Sequence, residues 1–284
     1  MSGATEFQPV SAPWVWNAAE IGARDDWALT LSESTLKEID DALEGIKKRD
    51  LDLKAVTSED FPLPSFAGQV AEIKENLSGG LGMSLIRGVP VDRYSRDDLR
   101  LILWGIGTHI GLGAPQSYRG DVIGEVMDMS HTGDIRRSYR SPRPLYLHVD
   151  PIDVVGLLCT RQAKEGGMSL VTSALALHNT LLAERPDLMP ALYQGYQYSS
   201  TESDSTGEPP VTSYRVPVYK EVGNQMVVNF NASPIERALD QDDVDIDAIS
   251  LEAIEVFKET AMRDDLVYRT MLAPGDLQFL NNRR

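Results

Sequence analysis

The chain has 284 residues, of which 42% are hydrophobic and 25% are charged, and its formal net charge at pH 7 is -16. This composition is ordinary for a globular protein, and the length suits two domains or one large β-sandwich or barrel. The excess of acidic groups argues against nucleic acid and anionic membranes as partners, because both would repel the chain. The oligomeric state is left open, and a homo-oligomer is compatible with the sequence.

The cysteine content and the N-terminal sequence indicate a cellular compartment. The chain has one cysteine, Cys159, so no disulfide can form within it, which is typical of reducing compartments. Residues 1–13 lack the basic and apolar regions of a signal peptide. No apolar run approaches the roughly 18 residues that a membrane-spanning helix requires. We therefore expect a cytoplasmic protein without a membrane partner.

The N-terminal part of the chain predicts an irregular arm followed by a helix. Residues 1–30 are polar apart from spaced tryptophans, and we expect them to form an arm that packs on the body of the protein. Thr35 and Glu38 are predicted to form the capping box of the helix that follows. The apolar residues of that helix recur at helical spacing, at Leu36, Ile39, Leu43 and Ile46.

Two more helices and a strand are predicted before residue 110. A helix over 69–77 is expected to end at Gly79-Gly80. A strand over 83–89 follows, and Ser95 is expected to cap the next helix. That helix runs into glycine-rich sequence, whose spacing does not match a dinucleotide-binding fingerprint because no strand–turn–helix unit surrounds it.

Short strands are predicted to dominate the remainder of the chain. The expected strands cover 121–129, 154–163, 196–199, 214–219 and 226–230, and the expected helices cover 173–184, 234–239 and 251–263. Residues 266–272 and 277–280, joined by a Pro-Gly-Asp turn, are predicted to form a hairpin. The arginine-rich segment 130–144 is interpreted as a solvated loop, with a lid or carboxylate-binding edge as the alternative.

The stretch from Leu145 to Asp150 carries the residues with the clearest chemistry. His148 and Asp150 are two residues apart at the end of an alternating apolar segment, so both side chains are expected on one side of a strand. An imidazole and a carboxylate on one face are two of the three ligands that non-haem Fe(II) oxygenases use. His-x-Asp also occurs as a surface histidine beside a solvated aspartate, so the tripeptide alone leaves both interpretations open.

The sequence after Asp150 continues in a specific pattern. An apolar strand over 154–159 is followed by Gly166-Gly167-Met168-Ser169 and by a helix that Ser173 would cap. Together with His148-x-Asp150, this pattern resembles the iron- and 2-oxoglutarate-dependent dioxygenases of the taurine dioxygenase (TauD/TfdA) type. The likeness extends to segments 82–90, 111–116 and 274–282.

The resemblance implies a fold and an activity. It implies an α+β, mainly β chain built on a double-stranded β-helix, a clavaminate synthase-like jelly roll with flanking α-helices, and one such domain over residues 31–284. It also implies Fe(II), 2-oxoglutarate as cosubstrate and O2. The activity expected from the resemblance is oxidation, most simply hydroxylation, of a C–H bond in a small-molecule substrate, with release of succinate and CO2.

The resemblance also implies roles for individual residues. His148 and Asp150 match the first two iron ligands and are the expected catalytic residues. Ser169 matches the Ser or Thr that contacts 2-oxoglutarate. Gln116, which ends the glycine-rich approach segment, is a further candidate for cofactor binding.

The sequence departs from the family pattern at its C-terminal side. The family has a distal histidine ligand, and beyond it an arginine that pairs with the far carboxylate of 2-oxoglutarate. The other histidines, His109, His131 and His178, precede the motif or lie in the helix after it, and Arg283 and Arg284 come too early for the arginine. We therefore expect that the C-terminal strand or strands with these residues are missing from the sequence.

Two alternatives are also compatible with the sequence. A non-catalytic binding protein or an inactive relative on the same scaffold would fit a chain that truly ends at Arg284. A cupin-like metal isomerase or hydrolase would need further His or Glu ligands near His148, and the supply of histidines is small. The substrate is not specified by the sequence, because loops set the specificity of such pockets.

Overall fold

A four-stranded sheet, two smaller antiparallel pairs and helices on the outside make up the described part of the protein. The computed structural model describes residues 7–11, 13–116, 120–132, 138–142, 144–199, 207, 209–241 and 244–284. The strands are β1 Ala28–Thr30, β2 Met83–Arg87, β3 Val154–Leu158, β4 Ser169–Thr172, β5 Tyr219–Val222, β6 Gln225–Val228, β7 Val267–Thr270 and β8 Leu277–Asn281. The helices are α1 Ala18–Gly22, α2 Glu33–Arg49, α3 Ala67–Gly79, α4 Arg96–Ile110, α5 Ala174–Glu184, α6 Met189–Gln194, α7 Ala232–Leu239 and α8 Ala248–Ala261.

The four-stranded sheet has the order β1-β2-β8-β3. β1 runs parallel to β2, whereas β8 is antiparallel to both of its neighbours. Gln278 in β8 lies between Leu85 of β2 and Leu157 of β3. The second sheet pairs β4 with β7, and a third pairs β5 with β6. β8 is therefore held by ladder hydrogen bonds on both sides, which fixes the direction of each of its side chains.

The two faces of β8 bury different cores. Leu277 and Phe279 lie on the face of the sheet that the helices cover, and both are buried against apolar side chains of α2, α3 and α4. Gly156 of β3 leaves room for this packing, because a Cβ there would lie 2.7 Å from the Phe279 ring. Leu280 points to the other face and packs in a cluster that includes Val171 of β4. The sheet that contains β8 and the β4–β7 pair therefore face each other, as two layers of a jelly roll do.

A separate core fills the C-terminal half of the protein. Side chains from α5, α6, α7 and α8 pack there around β5 and β6. Tyr219 is fully buried at its centre, with ring contacts to His178 and Phe257. Tryptophans of the N-terminal stretch are also buried, with Trp16 and Trp27 in the cluster that lines the inner face of the main sheet. Among the described helices, none combines the length and the apolar character needed to cross a bilayer.

Several helix starts follow from local sequence. Ser95 caps α4 in a capping box with Asp98, and Ser173 accepts a hydrogen bond from the backbone N–H of Ala176 at the start of α5. The predicted Thr35–Glu38 capping box of α2 is wrong, because Ser32 is the capping residue. Thr35 is fully buried, and Glu38 accepts a hydrogen bond from the backbone of Ser65.

The predicted hairpin of residues 266–272 and 277–280 is wrong in its pairing. β7 pairs with β4 in one sheet, while β8 pairs with β2 and β3 in the other. The turn between β7 and β8 therefore connects the β4–β7 sheet to the four-stranded sheet. Gly275 donates its N–H to the Cys159 carbonyl oxygen and accepts from the N–H of Val89. These contacts hold the turn against other strand ends, so its two arms cannot close on each other.

The strand predicted over 121–129 is also wrong within the described residues, which form no strand there. Met127 and Met129 donate backbone hydrogen bonds to Tyr139 and Arg140, in a short irregular pairing of two loop segments. Val126 and Met127 are exposed. Without an apolar face to bury, the segment gains little from joining a sheet.

Candidate functional site

His148 and Asp150 form a convergent pair at the mouth of the jelly roll. The Nε2 atom of His148 lies 3.7 Å from Oδ1 of Asp150. The segment that carries them is irregular, with a bend at Leu147, so the strand expected there is not formed. It is attached to the C-terminal half by a hydrogen bond of 2.6 Å from the N–H of Val149 to the carbonyl of Phe230. The two side chains nevertheless lie close together, as the sequence predicts, although the segment has no regular strand geometry.

The hydrogen bonding of His148 leaves one ring nitrogen available. Its Nδ1 lies 2.7 Å from the carbonyl oxygen of Tyr146. A carbonyl oxygen only accepts, so Nδ1 carries a hydrogen, and Nε2 is the ring nitrogen that faces Asp150. This arrangement, in which a backbone carbonyl orients an imidazole whose other nitrogen is free, is the usual one for a metal-binding histidine.

Asn282 fixes the backbone around Asp150. Its Nδ2 donates to the carbonyl oxygen of Asp150 at 2.6 Å and to that of Ile152 at 3.3 Å. Its own N–H donates to the carbonyl of Asp153 at 2.7 Å. One asparagine at the end of β8 thus holds three carbonyl groups of the loop between the His148–Asp150 pair and β3.

An apolar cavity of about 120 Å³ lies beside His148. Its wall includes Leu280 of β8 and Phe230, with aliphatic side chains of β4 opposite. Arg284 borders it, with its guanidinium 4.7 Å from the centre of the Trp14 ring and a hydrogen bond to the Met226 carbonyl. Burial lowers the pKa of Arg284 from its ordinary value. The cavity thus offers an apolar wall beside His148, with polar groups at its edge.

The other predicted site residues lie in different places. Ser169 is at the start of β4, and its hydroxyl is hydrogen bonded at 2.8 Å to Oε1 of Gln278. Gln116 is exposed in a loop and is not part of the cavity wall. In the arginine-rich segment, Arg136, Arg137 and Arg143 lie outside the described residues.

The remaining histidines have other surroundings. His178 is fully buried in α5, with Nε2 2.9 Å from the Tyr193 hydroxyl, and burial lowers its pKa. His109 contacts the Phe61 carbonyl at 2.7 Å. Within the described ranges, no cluster of three or more His, Cys, Asp or Glu side chains could hold a metal ion. The described part of the site therefore brings together two candidate ligands, His148 and Asp150, whose nitrogen and oxygen donors would fit a non-haem iron.

Sequence reasoning passed over the roles of Gln278 and Asn282. The signal for Gln278 is a carboxamide in an otherwise apolar strand, Leu277-Gln278-Phe279-Leu280, at a position where alternation places it on the inner face. Asn282 follows a second asparagine, and the sequence does not show which of the two turns toward the loop of Asp150.

Comparison with known proteins identifies relatives along most of the chain. The family model described as "Taurine catabolism dioxygenase TauD, TfdA family" matches residues 47–284. FR-33289 synthase of Streptomyces rubellomurinus is 29% identical over 289 residues, covering 97% of this chain and 82% of the relative. The taurine hydroxylase-like protein SAT17 of Stachybotrys chartarum is 25% identical over 284 residues, covering 94% of this chain and 71% of the relative.

Solved structures share the fold at low sequence identity. Asparagine oxygenase in complex with Fe(II), 3-hydroxyasparagine and succinate has a TM-score of 0.68 at 15% identity, with 90% of this chain and 85% of that chain covered. The non-haem iron oxygenase OrfP in complex with Fe, succinate and (3S)-hydroxy-L-Arg has a TM-score of 0.59 at 13% identity, with 90% and 86% covered. These matches confirm the predicted jelly roll with flanking helices.

Proposed function

Because this chain belongs to the taurine catabolism dioxygenase family TauD/TfdA, we propose that it hydroxylates a C–H bond of a small molecule with Fe(II), 2-oxoglutarate and O2. Succinate and CO2 are the coproducts. The observation that carries this proposal is the approach of His148 Nε2 to Asp150 Oδ1, at 3.7 Å, with Nδ1 of the same ring bound to a backbone carbonyl.

His148 and Asp150 are the residues that would hold the iron. The bound metal and cosubstrate supply the oxygen activation, which no amino-acid side chain can provide. His148 would contribute Nε2 as a donor, and Asp150 would contribute a carboxylate oxygen. Asn282 keeps the backbone carbonyl of Asp150 in place at 2.6 Å, which fixes the main-chain position from which the carboxylate extends toward the imidazole.

The neighbouring residues would bind and shield the reactants. The wall formed by Leu280, Phe230 and β4 is apolar, which keeps water from the reacting carbon. Ser169 would contact 2-oxoglutarate through its hydroxyl. Gln116 stays a prediction as a cofactor-binding residue, supported by its position at the end of the glycine-rich approach segment.

The solved structures suggest a substrate class, and the cysteine content suggests a location. Two solved relatives hold hydroxylated amino acids, 3-hydroxyasparagine and 3-hydroxyarginine. A small molecule is therefore the expected substrate, and amino acids are the first compounds to screen. A cytoplasmic location is supported by the single cysteine, Cys159, which has a half-buried thiol and no disulfide partner.

Metal titration tests the proposal most directly. Anaerobic calorimetry with Fe(II), or with Co(II) as a spectroscopic substitute, is expected to show one metal per chain. His148→Ala and Asp150→Ala are expected to weaken binding by at least about 100-fold, the upper range for residues that merely support ligands. His131→Ala is the matched control, since it removes an exposed imidazole outside the cavity.

Succinate release completes the test. Wild-type protein with Fe(II), 2-oxoglutarate and a substrate from the amino-acid screen is expected to release succinate, whereas the His148 and Asp150 variants are not. Metal binding that is unchanged in both variants would contradict the assignment of the iron to this pair. A protein that binds neither metal nor 2-oxoglutarate would instead support the alternative of a non-catalytic binding protein.

A further inference from the structure

Tyr146 supplies the carbonyl oxygen that orients the ring of His148. This oxygen lies 2.7 Å from Nδ1 of the imidazole. The segment that contains both residues is irregular and is not paired as a strand. Because no ladder of hydrogen bonds fixes its backbone, the carbonyl keeps its direction only if other contacts hold Tyr146 in place.

Hydrogen bonds to other elements hold this segment from Val149 onward. The N–H of Val149 donates to the Phe230 carbonyl at 2.6 Å, and Asn282 donates to the Asp150 carbonyl at 2.6 Å. Among the described residues, Tyr146 makes no hydrogen bond to another element. Its aromatic ring is therefore the group through which the protein can anchor it.

The ring of Tyr146 lies next to the ammonium group of Lys258 in α8. The Nζ atom is 5.7 Å from the ring centre, within the range of a cation–π interaction. Two carboxylates fix the ammonium there, Glu236 of α7 at 2.9 Å and Glu255 of α8 at 3.1 Å. Lys258 thus joins Tyr146 to two helices of the C-terminal core.

The surroundings of Lys258 keep it charged and ordered. Its side chain is 21% exposed, so water competes weakly for the ammonium. Burial acts to lower the pKa of Lys258, but the hydrogen bonds to Glu236 and Glu255 outweigh burial and raise it. The cation is therefore present at neutral pH, and its position does not depend on the ring of Tyr146 alone.

The same helix supports the segment at a second point. Phe257, which precedes Lys258 in α8, has its ring centre 4.1 Å from that of Phe230. Phe230 in turn accepts the hydrogen bond from Val149. α8 therefore contacts or supports the segment on both sides of His148.

We propose that Lys258 is a positioning residue for the iron site and acts on His148 through the ring and the carbonyl of Tyr146. This inference rests on the proposed function, in which Nε2 of His148 binds the metal. A fixed ring keeps the Tyr146 backbone from turning, so the carbonyl continues to accept from Nδ1. The opposite ring nitrogen then stays directed toward Asp150.

Substitutions at the two partners separate the charge from the packing. Lys258→Met removes the charge and keeps an unbranched side chain, whereas Lys258→Arg keeps a cation that can lie over a ring. Tyr146→Phe keeps the ring and Tyr146→Leu removes it. Lys48→Met is the matched control, because it removes an ammonium that pairs with Glu44 within α2.

Anaerobic calorimetry measures the affinity of each variant for Co(II). Lys258→Met and Tyr146→Leu are each expected to raise the Kd about 3- to 10-fold, the range of one cation–π contact. Lys258→Arg, Tyr146→Phe and Lys48→Met are expected to stay within about twofold of wild type. Because both substitutions break the same contact, the double variant Tyr146→Leu/Lys258→Met is expected to be no weaker than Tyr146→Leu alone.

A spectroscopic measurement on the metal-free protein separates positioning from structural support. Nitrogen-15 NMR, at a pH where the imidazole is neutral, reports which ring nitrogen carries the hydrogen. The chain has four histidines, so the signals of His148 are identified by their absence from His148→Ala. In wild type the hydrogen is expected on Nδ1, and in Lys258→Met part of it is expected on Nε2. If Lys258 only tied α7 to α8, its loss would lower the free energy of unfolding and leave this distribution unchanged.

The outcomes distinguish this inference from the proposed function. Wild-type Co(II) affinity and an unchanged hydrogen distribution in Lys258→Met would overturn the role of Lys258, as would additive losses in the double variant. If His148→Ala still abolishes Co(II) binding in that case, the proposed function stands. A wild-type protein that binds no Co(II) would overturn both. If Lys258→Met does not fold, Tyr146→Leu tests the same contact at a ring that is 61% exposed.

Discussion

Replacing Asn282 with alanine is expected to weaken iron binding about 10- to 100-fold, although Asn282 is not itself a ligand. The side chain donates to the carbonyl of Asp150 at 2.6 Å and to that of Ile152 at 3.3 Å. Without these bonds, the carbonyl of Asp150 keeps only the hydrogen bond from the N–H of Ile152 at 2.8 Å, so the loop that carries the carboxylate is held less firmly beside His148.

The magnitude follows from the number and type of hydrogen bonds. Loss of an amide donor that serves buried or half-buried carbonyls costs about 1–3 kcal/mol of folding free energy. The expected drop in metal affinity corresponds to about 1.4–2.7 kcal/mol of binding free energy. Both quantities are measurable, by urea denaturation of the metal-free protein and by anaerobic calorimetry with Co(II).

Asn281 provides a matched control in the adjacent position. Its Nδ2 donates to the Leu77 carbonyl at 2.8 Å, and its Oδ1 accepts from the N–H of Arg283 at 2.9 Å. Asn281→Ala therefore also loses two hydrogen bonds, but they lead to α3 and the end of the chain. We expect a similar loss of stability without a change in metal affinity. Equal effects of the two substitutions on metal affinity would refute the positioning role of Asn282.

Three further predictions concern stability, each measured by urea denaturation. Gly156→Ala is expected to cost about 1–3 kcal/mol, because its Cβ would lie 2.7 Å from the Phe279 ring; no loss would contradict the packing described. Gly275→Ala is expected to cost a similar amount or more, since Gly275 has φ +92° and its Cβ would collide with the Val89 carbonyl; a neutral result would mean that the turn relaxes easily. Burial lowers the pKa of His178 from its ordinary value of 6.5. The unfolded chain therefore takes up this proton first, so the contribution of His178 to stability is complete above about pH 6.5 and falls below it. His178→Phe is expected to reduce that acid sensitivity, and an unchanged pH profile would assign it to other groups.

Local sequence was sufficient for the elements whose stabilising contacts are close in the chain. Ser95 and Ser173 were identified as helix caps because a cap and its N–H partner are three residues apart. The proximity of His148 and Asp150 was predictable because the two residues are only two positions apart, although the strand expected around them is not formed. The family pattern around them gave the fold and the chemistry.

Tertiary structure decided what depends on residues far apart in the chain. The separation is 109 residues between Ser169 and Gln278, and 132 between Asp150 and Asn282. The predicted hairpin of β7 and β8 was wrong because each strand finds a better partner elsewhere. A short turn favours local pairing only weakly, whereas burial of a full face against another sheet contributes much more. The sequence by itself thus determined the caps of α4 and α5 and the proximity of His148 and Asp150. Only the packed layers decided which polar groups support those side chains, because sheet register is fixed by distant contacts.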